Sequence, residues 1–441
     1  MGGLVAWLIF SAAVGLIGLR LPRFPIGVAL LLLGVVPASA SGLLTGVAYT
    51  ESSGLPSLHP GTWVVLFAAG FALLRQPVEF VEGLLRASPT ALLLGSLAAT
   101  IAIATTVVSH GTQGTSQTLE TYIGPPLLAA LMLREVDRRP SSRNDLLLTL
   151  QIYGLVVGLL AVAEGVLRVD LVWAADYAAQ PWHQSYGLTG FRATVFGDHP
   201  LNTALVLLAC LPLMRGRYAD GFRPGVPGVM VILAGIAATG SRSGVAIALA
   251  YLVIMGLQLG RKFFPALVSL VALSWILGTL DFGQRLVARL SLDTNSSFVR
   301  FGAVSELTQN WTHFFVTGNG VGFSGEVSQA LLGQSVSFEN GPLMMALDIG
   351  LIGACAFLLS MCFLALRGGW KAMSPVTAGF VMSLAMSASY SSFGTKSCAG
   401  YVVWTLAALA PCVRATRPRA AADQPHHEHA VPQDLSLAGL P

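Results

Sequence analysis

The chain has 441 residues, of which 54% are apolar and only 10% charged, and its mean hydropathy is +0.70. About a quarter of the residues in an ordinary soluble domain are charged, so that class is excluded. The net charge of +4 does not describe a nucleic-acid surface, because the basic residues sit on connectors between apolar runs.

A membrane-crossing helix needs about 20 mainly apolar residues. Runs approaching that length occupy 4–19, 26–46, 61–75, 89–108, 120–134, 146–167, 200–214, 226–240, 244–259, 263–280, 340–366, 375–391 and 399–413. They predict an all-α, polytopic membrane helix bundle of about 12–13 spans. The first run lacks the small-residue cleavage site of a removable signal peptide and is read as a span. The 120–134 and 226–240 runs carry Pro or Gly near their starts. Cys210, Cys355, Cys362, Cys398 and Cys412 show no paired spacing and read as small core residues;.

Seven alternate connectors, counting the C-terminal tail, hold 18 of the 25 Lys and Arg residues. These are Arg20 and Arg23; Arg75 and Arg86; Arg134, Arg138, Arg139 and Arg143; Arg215, Arg217 and Arg223; Arg261 and Lys262; Arg367 and Lys371; and Arg414, Arg417 and Arg419. Basic residues accumulate on the cytoplasmic side of membrane proteins. The N-terminus is therefore expected outside and the C-terminus inside. The expected organisation is transmembrane helices with short loops over 1–280, an extracytoplasmic loop subdomain over 281–339, further transmembrane helices over 340–413, and a disordered cytoplasmic tail over 414–441.

The outer connectors are then 47–60, 109–119, 168–199, 241–243, 281–339 and 392–398. The 168–199 segment carries Trp173, Trp182, His183, Tyr186 and Arg192. The 281–339 segment is the one stretch long enough for an extramembrane subdomain. Phe298, Phe301, Val304, Leu307 and Trp311 follow a group of capping residues at helical spacing;. Turn formers follow at Thr317-Gly318-Asn319-Gly320-Val321-Gly322, and Asn340-Gly341-Pro342 opens the next span;. The glycines do not form a nucleotide-binding loop, because no strand precedes them.

Arg192, Arg242 and Arg300 fall on the outer side, where the charge rule does not explain them. A guanidinium group is a planar, permanently charged fork suited to phosphate oxygens. Three at one depth would clamp a pyrophosphate; alternatively they meet lipid headgroups or pair with Asp198, Glu306 or Glu326. Glu339 precedes the re-entry at Asn340. It is either a carboxylate favoured by a helix N-terminus or a general base facing the outer cavity. Asp348 lies about two turns deeper, where a carboxylate is paired or functional. Asp198 and His199 are either an acid/base pair or the capped start of a helix. The tail's His426, His427 and His429 resemble a metal cluster by composition only, and no metal site or cofactor is expected.

From about Phe191 to Cys355 this constellation resembles the O-antigen ligase and O-antigen polymerase superfamily of integral membrane glycosyltransferases. Four pieces match in order. Phe191-Arg192 through Pro200-Leu201-Asn202 is similar to an arginine segment ending in a Pro-Asn pair, here interrupted by Leu201. Thr239-Gly240-Ser241-Arg242-Ser243-Gly244 is similar to a Ser-Arg turn. Arg300, Trp311 and the glycine run resemble the large outer loop. Glu339-Asn340, nine residues and Gly350-Leu351-Ile352-Gly353 resemble a His-Asn, nine-residue, Gly-x-x-Gly signature. Glu339 stands where that signature has His, and Asp348 where it usually has Glu.

The resemblance implies an enzyme of the bacterial inner membrane with an extracytoplasmic site. A glycan would pass from a polyprenyl (undecaprenyl-type) diphosphate to a hydroxyl on a glycan or lipid acceptor. Inversion at the anomeric carbon would need no metal. Arg192, Arg242, Arg300 and Asn340 would bind substrate, Arg242 would also stabilise the leaving group, and Glu339 would serve as base. Ligase and polymerase are not separated by these residues. The competing expectations are a secondary transporter of a polar or anionic solute, with residues on broken helices near the midplane, and a non-catalytic membrane scaffold.

Overall fold

The computed structural model describes residues 2–47, 54–180, 183, 190–219, 222–259, 304–305, 308–332, 340–367, 374–390 and 397–410. The run 263–280, Arg300, Glu339, Trp182, Tyr186 and the tail lie outside the described residues. Among the described residues all named elements are helical, and β pairing is limited to one isolated bridge between Ala219 and Phe222.

The helices start and stop at sequence breakers. α1 (Gly2–Gly18) leads into α2 (Arg23–Val35). Pro37 lacks an N–H and drives Val36 to extended geometry (φ −94°, ψ 114°), so α2 ends there;. A 3₁₀ turn (Ala38–Ala40) and the short α3 (Gly42–Thr45) leave at 102° to α2. The expected span 26–46 is thus a bent pair. α4 (Pro60–Arg75) bends by 110° into α5 (Pro77–Ala87), which the run pattern did not foresee. Glu79, Glu82 and Arg86 of α5 are exposed while Phe80 and Ala87 are buried, the pattern of a surface helix;.

Then come α6 (Pro89–His110), the short α7 (Thr115–Thr118), a π turn (Leu119–Ile123), α8 (Gly124–Arg138) and α9 (Ser141–Leu167). They are followed by α10 (Ala174–Ala178), α11 (Pro200–Cys210), α12 (Gly225–Ala238) and α13 (Arg242–Leu259). The last are α14 (Ser324–Leu332), α15 (Gly341–Leu366), α16 (Pro375–Ser387) and α17 (Ala399–Leu409).

Among the described residues three helices, α6, α9 and α15, are long and apolar enough to cross a membrane, and five spans result if each bent pair counts as one. Six further apolar helices of 10–17 residues fall on other predicted runs, and the run 263–280 lies outside the described residues. Pro or Gly stands at the start of several of these shorter helices;.

The core is tight where glycines let helices meet. Gly158 of α9 faces Gly235 of α12, where a Cβ on Gly235 would lie 3.0 Å from Gly158 Cα;. α15 lies along α6, and Tyr122, Phe357 and Trp404 interlock by edge-to-face contacts 5.0 and 5.5 Å between centroids;.

The connectors segregate to two ends of the bundle. At one end Arg23 pairs with Glu135 at 2.8 Å and Asp145 at 3.1 Å, and Arg138 with Glu79 at 2.8 Å. This end gathers basic connectors of the sequence. At the other end the Trp173 indole N–H donates to Val35 O at 2.9 Å, and His59 Nε2 contacts Val36 O at 2.8 Å. There, too, Ser57 Oγ donates to Ser116 Oγ at 3.2 Å. Alternate connectors therefore meet at opposite ends, as the charge alternation predicts.

Candidate functional site

At the end opposite the basic connectors, the loop 190–199 meets the turn 239–244. Arg192 is buried, and its Nε donates to Thr239 O at 2.8 Å; Ala193 N–H donates to Ala238 O at 3.1 Å. Thr239 and Ala238 end α12, so the guanidinium sits at the negative end of a helix dipole;. Gly240 reverses the chain with φ +64°;. Ser241 Oγ accepts from Gly244 N–H at 3.0 Å, which caps the start of α13;. Arg242 is the first residue of that helix. The Arg192 loop therefore packs on the turn before α13, with its bonded residue Thr239 three positions ahead of Arg242.

Behind them, Ser389 Oγ donates to Ser243 Oγ at 2.9 Å. Asn202 Nδ2 donates to Gly197 O at 2.8 Å, and Tyr390 O–H donates to Asn202 Oδ1. The ring of His199 stacks on Tyr390 with centroids 6.3 Å apart.

The loop carrying Arg192 is strained and firmly held. Val195 and Asp198 have φ of +51° and +59°, a region unfavourable for a β-branched residue;. Glu164, in the last turn of α9, is fully buried and compensates. Its Oε2 accepts from Thr194 N–H and Val195 N–H, both at 3.0 Å, and its Oε1 from Leu171 N–H at 3.1 Å. Tyr177 O–H donates to Val195 O at 2.8 Å, and Thr203 Oγ1 to Thr194 O. Sequence reading passed over Glu164. The signal was there: a single carboxylate in the final turn of a long apolar run.

Asp198 and His199 both act as caps. The Asp198 carboxylate accepts from Ala38 N–H at 2.5 Å, from Ser39 N–H at 2.9 Å and from Ser39 Oγ at 2.8 Å. It ties the loop to the turn after Pro37. Burial pushes its carboxyl up to about 6, against the pull of those hydrogen bonds;. His199 Nδ1 accepts from Leu201 N–H at 3.2 Å at the start of α11. Of the two readings of this pair, the capped helix start is the one seen.

Asn340 Oδ1 accepts from Leu343 N–H at 3.0 Å and caps α15, as its place before Gly341-Pro342 predicts. Asp348 is buried, and its carboxylate faces the backbone N–H of Gly322 in the glycine run. Two residues on, α15 breaks at Gly350 (φ 80°, ψ 162°). The segment 314–320 enters the break. Asn319 N–H donates to Leu347 O at 2.9 Å, and Gly320 N–H to Asp348 O at 3.0 Å. Leu351 N–H donates to Phe314 O at 2.7 Å, and Ile352 N–H to Phe315 O at 3.1 Å. The glycine run thus satisfies a broken helix. Arg300 and Glu339 lie outside the described residues, so their relation to Arg192 and Arg242 is not part of this geometry.

Chemically, the loop that carries Arg192 is bonded to the turn that leads, through Ser241, into Arg242 and Ser243 at the start of α13. That combination suits an oxygen-rich anion. No protein-family model, curated protein or solved structure matches this chain.

Proposed function

We propose that the protein is an inverting, metal-independent membrane glycosyltransferase of the O-antigen ligase or polymerase type. It moves a glycan from a polyprenyl diphosphate to an acceptor hydroxyl. The observation that supports the reading is the Arg192–Thr239 bond, which sets the loop of one arginine motif against the turn that carries the other. The acceptor oxygen forms a bond to the anomeric carbon, and the bond from that carbon to the phosphate oxygen breaks. The polyprenyl diphosphate departs with the electron pair. Arg192, Arg242 and Arg300 stabilise the charge that develops on it. Glu339 takes the acceptor proton, and Asn340 stands beside it.

In this reading the shorter apolar helices are also membrane-embedded, bringing the bundle toward 12–13 spans. The 281–339 segment forms a loop subdomain on the outer side. The protein lies in the bacterial inner membrane with its N-terminus outside and its C-terminus in the cytoplasm. Single cysteines at Thr112 and Asp137 in a cysteine-free background test the orientation. A membrane-impermeant maleimide on intact cells is expected to label the first and spare the second; the reverse pattern inverts the topology.

The decisive experiment is a reconstituted assay with a polyprenyl diphosphate-linked glycan and candidate acceptors. Arg242→Ala is expected to abolish release of polyprenyl diphosphate without lowering the melting temperature. Full release by that variant overturns the assignment. A second reading, a secondary transporter, is favoured by one feature: the break of α15 at Gly350 beside the buried Asp348;. Accumulation of labelled solute in vesicles with no glycan product selects it instead.

A further inference from the structure

A hollow lies at the same end of the bundle as the arginine loops and shares no lining residue with them. It is a cavity of about 640 Å³ between the C-terminal half of α6 and the segment 313–326. The α6 wall comes from one helical face, with Ile101, Ala104, Thr105 and Val108 at i, i+3, i+4 and i+7;. Val108 is 86% exposed, so this apolar stretch opens sideways from the bundle. Toward the end of α6 the lining turns polar at Ser109 and His110. The facing wall presents His313, Thr317, Asn319 and Glu326.

The walls are fixed in place. His110 Nε2 contacts Asn319 O at 2.6 Å, and its ring stacks on Phe323 with centroids 3.3 Å apart and planes 7° from parallel. Val321 N–H donates to Thr106 Oγ1 at 3.1 Å. The same segment is anchored in the break of α15 by the four backbone bonds described above. The cavity is therefore pre-formed, which lowers the ordering cost of a ligand.

Its chemistry differs from that of the arginine loops. Among the described residues the lining contains a carboxylate, two imidazoles, two hydroxyl side chains beyond Thr105, and an amide, and no Lys or Arg. Such a set repels an anionic phosphate and offers donors and acceptors together, which is what a neutral polyol needs. We propose that this cavity binds the neutral sugar end of the acceptor, with His313 and Glu326 hydrogen-bonding its hydroxyls. The proposal rests on the glycosyltransferase reading and adds that the acceptor sugar is held apart from the arginine loops. The sugar arrives either on a lipid anchor, along the apolar α6 face, or as a soluble glycan.

The test uses the full-length protein in liposomes with a polyprenyl diphosphate-linked glycan. It compares a neutral glycolipid acceptor with the same glycan cut from its lipid. His313→Ala and Glu326→Gln are each expected to raise the acceptor KM about ten-fold, the loss of one hydrogen bond, and to leave the donor KM unchanged. Ser109→Phe narrows the cavity from the other wall and is expected to do the same, which guards against a folding defect in one variant. Acceptance of the glycolipid alone assigns the lateral route, and equal use of both assigns the soluble one. Unchanged acceptor KM in all three variants overturns the proposal while wild-type transfer upholds the parent reading. No transfer by wild type removes both.

Discussion

Removing the Glu164 carboxylate is expected to loosen the loop that holds Arg192. The N–H groups of Thr194 and Val195 would lose their acceptor in a buried place, and that of Leu171, a residue 44% exposed, would turn to water. Each buried unsatisfied donor costs about 1–3 kcal/mol, so Glu164→Ala is expected to lose at least about 2 kcal/mol. Val195 stores strain at φ +51°. Without its anchor the loop is expected to relax away from that geometry and carry Arg192 off Thr239. Glu164→Gln keeps one carbonyl oxygen. That oxygen can still accept from Thr194 and Val195, while the amide group opposes Leu171 N–H. Its loss is expected to be smaller, about 1–2 kcal/mol. Thermal unfolding in detergent, hydrogen exchange of 192–197 and polyprenyl diphosphate release would be measured together. The expected order is wild type, then Glu164→Gln, then Glu164→Ala, with faster exchange confined to 169–171 and 192–197. A Glu164→Ala protein with wild-type melting and exchange refutes the reasoning. So does a glutamine variant as damaged as the alanine one, because charge rather than acceptor geometry would then be at work.

Two further outcomes concern stability. The Asp198 carboxyl is raised from 3.8 to about 6 by burial, so the folded state holds its proton more tightly than the unfolded chain. Its contribution is therefore most favourable below the unfolded value and falls as pH rises through the window to about 6, by about 3 kcal/mol at most. Asp198→Asn cannot ionise and is expected to flatten the melting curve against pH between about 4 and about 6; parallel curves for variant and wild type exclude this. Gly350→Ala would set a Cβ 2.7 Å from the carbonyl carbon and oxygen of Val316, at a φ of +80°. It is expected to cost about 2–3 kcal/mol and to expose 310–323 to proteolysis; a variant as resistant as wild type shows that the inserted segment is not anchored there.

Some of this molecule is legible without coordinates. Apolar runs and the alternation of arginines are one-dimensional patterns, and they foretell helices whose connectors sort to two ends. Arg23 with Glu135 and Arg138 with Glu79 meet at the end the alternation predicts. Local punctuation is equally readable. Pro37, Asn340-Gly341-Pro342 and the Thr239–Gly240 reversal act through backbone sterics within a few residues. The bend at Pro37 was written in the same residues, yet a hydropathy count treats the run 26–46 as continuous and so misses the break within it.

What needed the tertiary structure was every relation between distant segments. That Arg192 binds Thr239, that Glu164 holds Thr194 and Val195, and that Asp198 reaches back to Ala38 and Ser39 are contacts across 30 to 160 residues. No spacing rule encodes them. The glycine run at 318–322 likewise read as a loop, and only the fold makes it the partner of a helix broken at Gly350. The physical reason is the same in each case. Backbone sterics and transfer of apolar side chains act locally along the chain. The pairing of a buried polar group is decided by whichever remote segment packing delivers to it.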